Sequence, residues 1–183
     1  MSGPLDSGVL ALAAMLESLG SPYAIVGGIA IVLRVRSRTT ADLDAVVALG
    51  EGGLPALLAR ARARGYELAR GSEDLAAAGL VRLTPAPGHP PGLPADLIVS
   101  DDPFLDGVLA RATVVTVQGQ PLRVATAEDL LLLKLEANRP HDIDDALALV
   151  DALGDGLDRA YLERWADALG IADRLRAAVS RDS

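Results

Sequence analysis

Two spacings of apolar residues divide the chain. Before residue 126, short apolar runs bounded by glycine and proline alternate with amphipathic stretches, which predicts strands separated by helices. From residue 126 onward, apolar residues recur every three or four positions, which predicts consecutive helices. We therefore predict an α+β fold, in which a mixed β-sheet is packed by helices and followed by a C-terminal helical bundle.

The predicted elements follow from these runs and from the residues that bound them. The predicted strands are 23–26, 42–49, 66–70, 80–84, 95–100, 113–117 and 122–124. The predicted helices are 7–19, 29–34, 54–64, 104–111, 127–138, 141–153, 158–168 and 171–179. The 183 residues suit one domain, so we expect an α/β core (1–125) and a C-terminal helical region (126–183) to pack into one compact unit.

Two aspartates lie at alternate positions of the second predicted strand. Asp42 and Asp44 would project from one face, with their Cα atoms roughly 6.6 Å apart, whereas Leu43, Ala45 and Val47 would face the core. Neighbouring carboxylates repel unless a cation lies between them, and Mg²⁺ prefers such oxygen ligands. The sequence therefore predicts a metal site, with a pair of exposed aspartates on an edge strand as the alternative.

A pair of glycines, Gly27 and Gly28, joins the first predicted strand to the following helix. Glycine lets a ligand approach the backbone closely, and the N–H groups at a helix N-terminus bind phosphate. A tight turn without a ligand is the alternative. Together with the aspartates, the glycines indicate metal-dependent phosphoryl or nucleotidyl transfer.

Lys134 is the only lysine among 17 basic residues. In a chain that otherwise uses arginine, a single lysine indicates a site that needs a compact ammonium group, although a surface lysine is the alternative. It lies on a predicted helix that Thr126 and Asp129 are expected to cap.

Two blocks of residues carry a family resemblance, and they read Gly27-Gly28 followed by Arg38-x-Thr40-x-Asp42-Leu43-Asp44, and Lys134, Arg139, Asp142 and Asp145 within 131–145. They resemble the motifs of the DNA polymerase β-like nucleotidyltransferase superfamily, and within it the branch that includes the abortive-infection (AbiEii-like) toxins. The resemblance implies the nucleotidyltransferase fold and the transfer of a nucleoside monophosphate from an NTP to an acceptor hydroxyl group. It also implies Mg²⁺ as the cofactor, with two ions when the NTP is bound.

The resemblance also implies a third carboxylate, which helps to bind the metal and activates the acceptor. We expect it to be Asp96, because this residue enters an apolar predicted strand. Asp101 and Asp102 are rivals, and Asp96 could instead cap the preceding loop. The implied catalytic and metal-binding set is Asp42, Asp44 and Asp96.

The nucleotide would be held by residues of both blocks, namely Gly27, Gly28, Arg38, Thr40, Lys134 and Asp142. Lys134 would contact phosphate as a point charge. Asp142 falls in the first turn of a predicted helix, where an acidic residue stabilises the helix dipole in any case. Arg139 and Asp145 are weaker candidates.

The net charge of −8 argues against a general nucleic-acid surface and favours a cationic small acceptor. Arg34, Arg36 and Arg38 could still form a local basic cleft, so the acceptor stays open between tRNA, a protein and a small molecule. The toxin-like resemblance adds a cognate antitoxin as a possible partner. The alternative to an enzyme is an inactive nucleotide-binding module or an antitoxin partner.

The composition also excludes some classes of protein. The absence of cysteine excludes disulfide scaffolds and thiol chemistry. No apolar run approaches the ~18 residues of a membrane span, and the N-terminus has no basic segment. We therefore expect a cytoplasmic protein with no membrane partner.

Overall fold

The computed structural model describes residues 4–35, 42–88, 93–99 and 102–180. Its strands are β1 (Tyr23–Val26), β2 (Leu43–Val47), β3 (Tyr66–Leu68), β4 (Leu80–Pro85), β5 (Ala95–Ile98), β6 (Thr113–Val117) and β7 (Gln120–Val124). Its helices are α1 (Pro4–Leu19), α2 (Gly27–Arg34), α3 (Gly53–Ala63), α4 (Glu73–Ala77), α5 (Pro103–Arg111), α6 (Ala127–Ala137), α7 (Pro140–Leu153), α8 (Arg159–Ala168) and α9 (Ala172–Val179). A short 3-10 helix, Gly154–Gly156, follows α7.

The described strands form one mixed sheet in the order β3-β4-β5-β2-β1-β7-β6. β2 runs parallel to β5 and antiparallel to β1, and β1 runs parallel to β7. The remaining neighbours are antiparallel. The predicted α+β class, with a mixed sheet followed by helices, is confirmed.

Alternation along β2 separates a face that packs in the core from the face that carries Asp44, which we call the site face. Leu43, Ala45 and Val47 are fully buried, as the alternating pattern predicted. Asp44 lies between them on the opposite face and is only partly buried. The strand is shorter than predicted, because its partner β1 begins at Tyr23, which pairs with Val47.

The last two strands form a hairpin through a two-residue turn. Gln118 and Gly119 both have positive φ angles, 49° and 80°, as a type I′ turn requires. Because this turn is so short, Val117 pairs directly with Gln120, and β7 begins two residues earlier than predicted.

The C-terminal helices contact one another and the core. α6 packs against α7, α8 and α9, and it also contacts α2. The Thr126 hydroxyl accepts a hydrogen bond from the Asp129 N–H (3.2 Å), as predicted for the cap of α6. The fully buried Asp129 carboxylate accepts a hydrogen bond from the Tyr161 hydroxyl on α8 (2.5 Å). Arg111, at the end of α5, stacks over the Tyr161 ring at 3.9 Å.

Across the described ranges, every helix is too short or too polar to cross a membrane.

Candidate active site

The strand register places three charged residues in a row on the site face of the sheet. Asp44 on β2 lies directly beside Asp96 on β5. Asp96 in turn lies directly opposite Arg82 on β4. Residues paired in this way project from the same face of a sheet, so the row runs Asp44, Asp96, Arg82. Asp96 therefore lies where a third carboxylate would meet Asp44.

The Asp44 carboxylate lies against the backbone at the start of α2. Gly27, the first residue of that helix, has a φ of +63°. A Cβ atom at this position would overlap the Asp44 carboxylate. Only glycine accommodates both the left-handed backbone and the close carboxylate. Gly28 follows inside the helix and is buried.

The surroundings of Asp44 favour its neutral form. Burial, and then the charges of Asp42 and Asp96, raise its pKa from 3.8 to about 6, although Lys134 and Arg139 act in the opposite direction. Asp42 is exposed and precedes β2. The charges of three carboxylates therefore act on this part of the site face, where a cation would relieve their repulsion.

Arg82 holds both oxygens of Asp96. Its Nε donates to Oδ1 (2.9 Å) and its Nη2 to Oδ2 (2.7 Å), which is the fork geometry that guanidinium groups make with carboxylates. The Arg82 side chain is 47% exposed, and that of Asp96 is 21% exposed. Sequence reasoning missed Arg82, because its position is meaningful only once the pairing of β4 with β5 is known.

Lys134 lies at the centre of a network of charged side chains. Its Nζ is 2.7 Å from Asp142 Oδ1 and 3.1 Å from Asp145 Oδ2. Arg139 Nε donates to the second Asp142 oxygen (2.6 Å). Both carboxylates are fully buried, and Lys134 is 8% exposed, so the surface-lysine alternative is wrong. Arg139 and Asp145, the weaker candidates by sequence, belong to the same network.

The hydrogen bonds of the network decide the charge of Asp142. Burial would raise the pKa of this carboxyl group, but the hydrogen bonds and the charges of Arg139 and Lys134 together outweigh burial and lower the pKa. Asp142 is therefore ionised, and it holds the Lys134 ammonium group in place.

A cleft of about 140 Å³ joins the two sequence blocks. Its lining includes Gly27, Asp44, Lys134, Arg139 and Asp142. The fold thus brings together residues that lie about a hundred positions apart in the sequence. Arg38 and Thr40, which the sequence predicted to bind the nucleotide, lie outside the described residues.

A larger cavity of about 400 Å³ adjoins this cleft. The two share Ile98 and Leu133 in their linings. The residues that line the larger cavity are mostly of apolar types, and they include the acidic residues Asp102 and Glu136. Asp102, a rival for the third carboxylate, caps α5 by accepting a hydrogen bond from the Phe104 N–H (2.7 Å). Its other rival, Asp101, lies outside the described residues.

Arg34 does not face the aspartates. Its guanidinium group donates to the carbonyl groups of Val124 and Ala125 and to the Thr113 hydroxyl (2.6–3.1 Å). It therefore braces the end of α2 against the hairpin of β6 and β7, and its expected place in a basic cleft is wrong. Arg36 and Arg38 lie outside the described residues.

The donor set fits a hard divalent cation in its chemistry. Asp42, Asp44 and Asp96 offer carboxylate oxygens, the ligands that Mg²⁺ prefers. Burial first, and then the charges of Asp42 and Asp96, raise the pKa of Asp44. In the part of the chain that the structure describes, no three or more acidic, histidine or cysteine side chains are arranged to hold a metal ion. Both Asp96 oxygens bind Arg82 instead.

Comparisons with known proteins support the fold. No protein-family model and no curated protein matches the sequence. Among solved structures, an antigenic nucleotidyltransferase-like protein from Paracoccidioides brasiliensis matches 97% of this chain with 92% of its own, at a TM-score of 0.62 and 20% identity.

Two structures of the antibiotic-resistance factor ANT(2″)-Ia are also similar. Its solution structure covers 92% of this chain and 96% of its own, with a TM-score of 0.58 and 17% identity. Its crystal structure in complex with adenylyl-2″-tobramycin aligns with 99% of this chain over 100% of its own length, with a TM-score of 0.57 and 16% identity. These likenesses show that the chain has the nucleotidyltransferase fold.

Proposed function

We propose that the protein is a metal-dependent nucleotidyltransferase, which moves a nucleoside monophosphate from an NTP to an acceptor hydroxyl group and releases pyrophosphate. The observation that carries this proposal is the cleft in which Asp44, next to Asp96 in the sheet, faces Gly27 and Lys134. The cleft combines carboxylates that would bind a metal ion with backbone N–H groups and an ammonium group that would bind phosphate.

The carboxylates of Asp42, Asp44 and Asp96 would hold Mg²⁺, with two ions when the NTP is bound. Bound Mg²⁺ supplies positive charge to the phosphates and stabilises the charge that develops during transfer. Asp96 is the group we assign to accept the proton of the acceptor hydroxyl. Asp44 contributes a carboxylate that is fixed by its contact with the start of α2.

Lys134 is the group we assign to the phosphates. Asp142 and Asp145 engage it from the buried side, and its ammonium group has three N–H donors. Because these two carboxylates are its partners among the described residues, we assign the third donor to a phosphate oxygen. The N–H groups of Gly27 and Gly28 at the start of α2 would bind the phosphate chain. Arg38 and Thr40 keep the nucleotide-binding role that the resemblance implies.

Nucleotide binding tests this proposal first. We would titrate each NTP into the protein by calorimetry, with and without Mg²⁺, beside an Asp42→Ala/Asp44→Ala variant. Binding that requires both Mg²⁺ and the two aspartates is the expected result. An Asp155→Ala/Asp173→Ala variant is the matched control, since it removes the same charge from exposed surface pairs. Equal binding by wild type and the Asp42/Asp44 variant would refute the proposed site.

We propose a hydroxylated small molecule with amino groups as the acceptor. The adjoining cavity has Asp102 and Glu136 and no basic side chain among its described lining residues. The net charge of −8 attracts cations as well. ANT(2″)-Ia, which shares the fold, forms a complex with adenylyl-2″-tobramycin. Transfer of label from an α-labelled NTP to aminoglycosides, with tRNA and protein acceptors in parallel, tests this choice.

A catalytically inactive nucleotide-binding module is the second candidate. The pairing of both Asp96 oxygens with Arg82 favours it, because an occupied third carboxylate would not activate an acceptor. Mg²⁺-dependent NTP binding without transfer to any acceptor would identify this case. The AbiEii-like toxin role, the cognate antitoxin and the cytoplasmic location remain predictions from the sequence, and growth arrest on expression would support the toxin role.

A further inference from the structure

The pair formed by Arg82 and Asp96 differs from an ordinary surface ion pair. Both carboxylate oxygens accept from the guanidinium group, at 2.9 and 2.7 Å. Exposed pairs with single contacts contribute little, but a two-point contact fixes the position of both groups. The carboxylate that Arg82 fixes is the one that the sheet places directly beside Asp44.

The position of Arg82 makes its charge part of the acidic cluster. Arg82 lies directly opposite Asp96, which in turn lies directly beside Asp44. A guanidinium group in this position partly neutralises the carboxylates, as a bound cation would. Arg82 and a divalent cation therefore compete for the same ligand.

Arg82 can leave Asp96 at small cost. Its side chain is 47% exposed, so water can replace the carboxylate as its acceptor. Lys134 differs, because Asp142 and Asp145 hold it in a buried network. Among the described cations around Asp44, Arg82 is the one that pairs with Asp96, whereas Lys134 and Arg139 pair with Asp142.

We propose that Arg82 is a latch on Asp96, which weakens metal binding in the nucleotide-free protein and is released when a metal–nucleotide complex binds. The phosphates of the nucleotide then offer the guanidinium group a replacement acceptor with the same fork geometry. This inference rests on the proposed function, since it takes Asp42, Asp44 and Asp96 as the metal ligands. Arg82 is thus a positioning residue that couples metal binding to nucleotide binding.

Binding of Mn²⁺ without nucleotide tests the latch directly. We would titrate Mn²⁺ into wild type and the Arg82→Gln variant and follow the free ion by electron paramagnetic resonance. Removal of one competing charge beside the site is expected to tighten Mn²⁺ binding about tenfold. Arg176→Gln is the matched control, because it removes the same charge from an exposed pair with Asp173 on α9 and should bind as wild type does. Equal or weaker binding by Arg82→Gln would overturn the latch.

Two further measurements separate the latch from the site on which it depends. ATP should tighten Mn²⁺ binding more in wild type than in Arg82→Gln, and an equal gain in both would refute the coupling. Addition of Asp42→Ala/Asp44→Ala to the Arg82→Gln variant should abolish the tight binding. If Mn²⁺ binds equally without those aspartates, or binds to none of the variants, the proposed metal site is wrong and the latch fails with it. Circular dichroism would show that each variant is folded.

Discussion

Gly27 and Asp44 lie so close together that residue 27 has no room for a side chain. The positive φ of Gly27, +63°, disfavours a side chain, and the carboxylate against its Cα leaves no room for one. The sequence indicated a glycine turn before a helix, but the contact with Asp44 depends on the antiparallel pairing of β1 with β2. Val26, which precedes Gly27, lies opposite Asp44 in that pairing.

Gly27→Ala is expected to weaken NTP binding and to destabilise the fold by about 1–3 kcal/mol, because it adds a collision to an unfavourable backbone. Urea unfolding and calorimetric titration of NTP would measure the two effects. Gly71→Ala is the matched control, since its φ is +73° and nothing lies within 4 Å of the added atom. It should cost about 1 kcal/mol from the backbone alone and leave NTP binding unchanged. An equal loss of folding stability in the two variants would contradict the predicted collision with Asp44.

The raised pKa of Asp44 predicts a pH-dependent stability in the absence of metal. Its carboxyl binds a proton more tightly in the folded state, with a pKa of about 6 against 3.8, so stability falls as the pH rises from about 4 to 6. This loss amounts to about 2–3 kcal/mol. Asp44→Asn should remove this dependence on pH. The free energy of unfolding of the variant, relative to wild type, should therefore increase from pH 4 to pH 7, as measured by urea unfolding with EDTA. A constant difference between the two proteins would contradict the assignment.

At the level of elements, α6 and α7 bring together the charges around Lys134. Local signals predicted much of this arrangement, since the single lysine, the Thr126 cap and Pro140 at the first position of α7 were all readable. Arg139 and Asp145 were only weaker candidates by sequence, although both belong to the network. The contact of Asp145 with Lys134 depends on how α6 packs against α7, which no local pattern specifies.

In the strands, too, the local pattern predicted burial but not the pairing. Alternation predicted which residues of β2 are buried, but the parallel register that sets Asp44 beside Asp96 joins strands about fifty residues apart. One-residue shifts in that register would turn Asp96 to the other face. The resemblance implied a third carboxylate, and sequence reasoning chose Asp96 because it enters an apolar predicted strand. It missed Arg82, for which no motif gave a signal.

Lys134→Met should be strongly destabilising. The variant would leave the buried Asp142 and Asp145 carboxylates without their shared cation, which typically costs about 3–5 kcal/mol. The triple variant Lys134→Met/Asp142→Asn/Asp145→Asn should recover much of that stability, because it leaves no buried charge between the helices. Denaturant unfolding of both proteins measures the difference. A triple variant no more stable than Lys134→Met would show that the charges are not the cause.

At the scale of the whole molecule, the described contacts cross the predicted boundary at residue 125. Helix α2 of the core contacts α6 of the helical region. Arg111, from the core, stacks over Tyr161 on α8. The cleft also draws on both sides, since Asp44 comes from the sheet and Lys134 from α6. A nucleotide in this cleft would touch both parts.

We therefore predict that residues 1–125 and 126–183 unfold in one cooperative transition, as the sequence suggested. The calorimetric and van't Hoff enthalpies of unfolding should agree, because neither part keeps its buried surface without the other. Mg²⁺ with NTP should raise the midpoint of that single transition, since a ligand that contacts both parts stabilises them together. Two transitions, of which only one moves with ligand, would show that the core and the helical region are independent units and that the nucleotide depends on one of them alone.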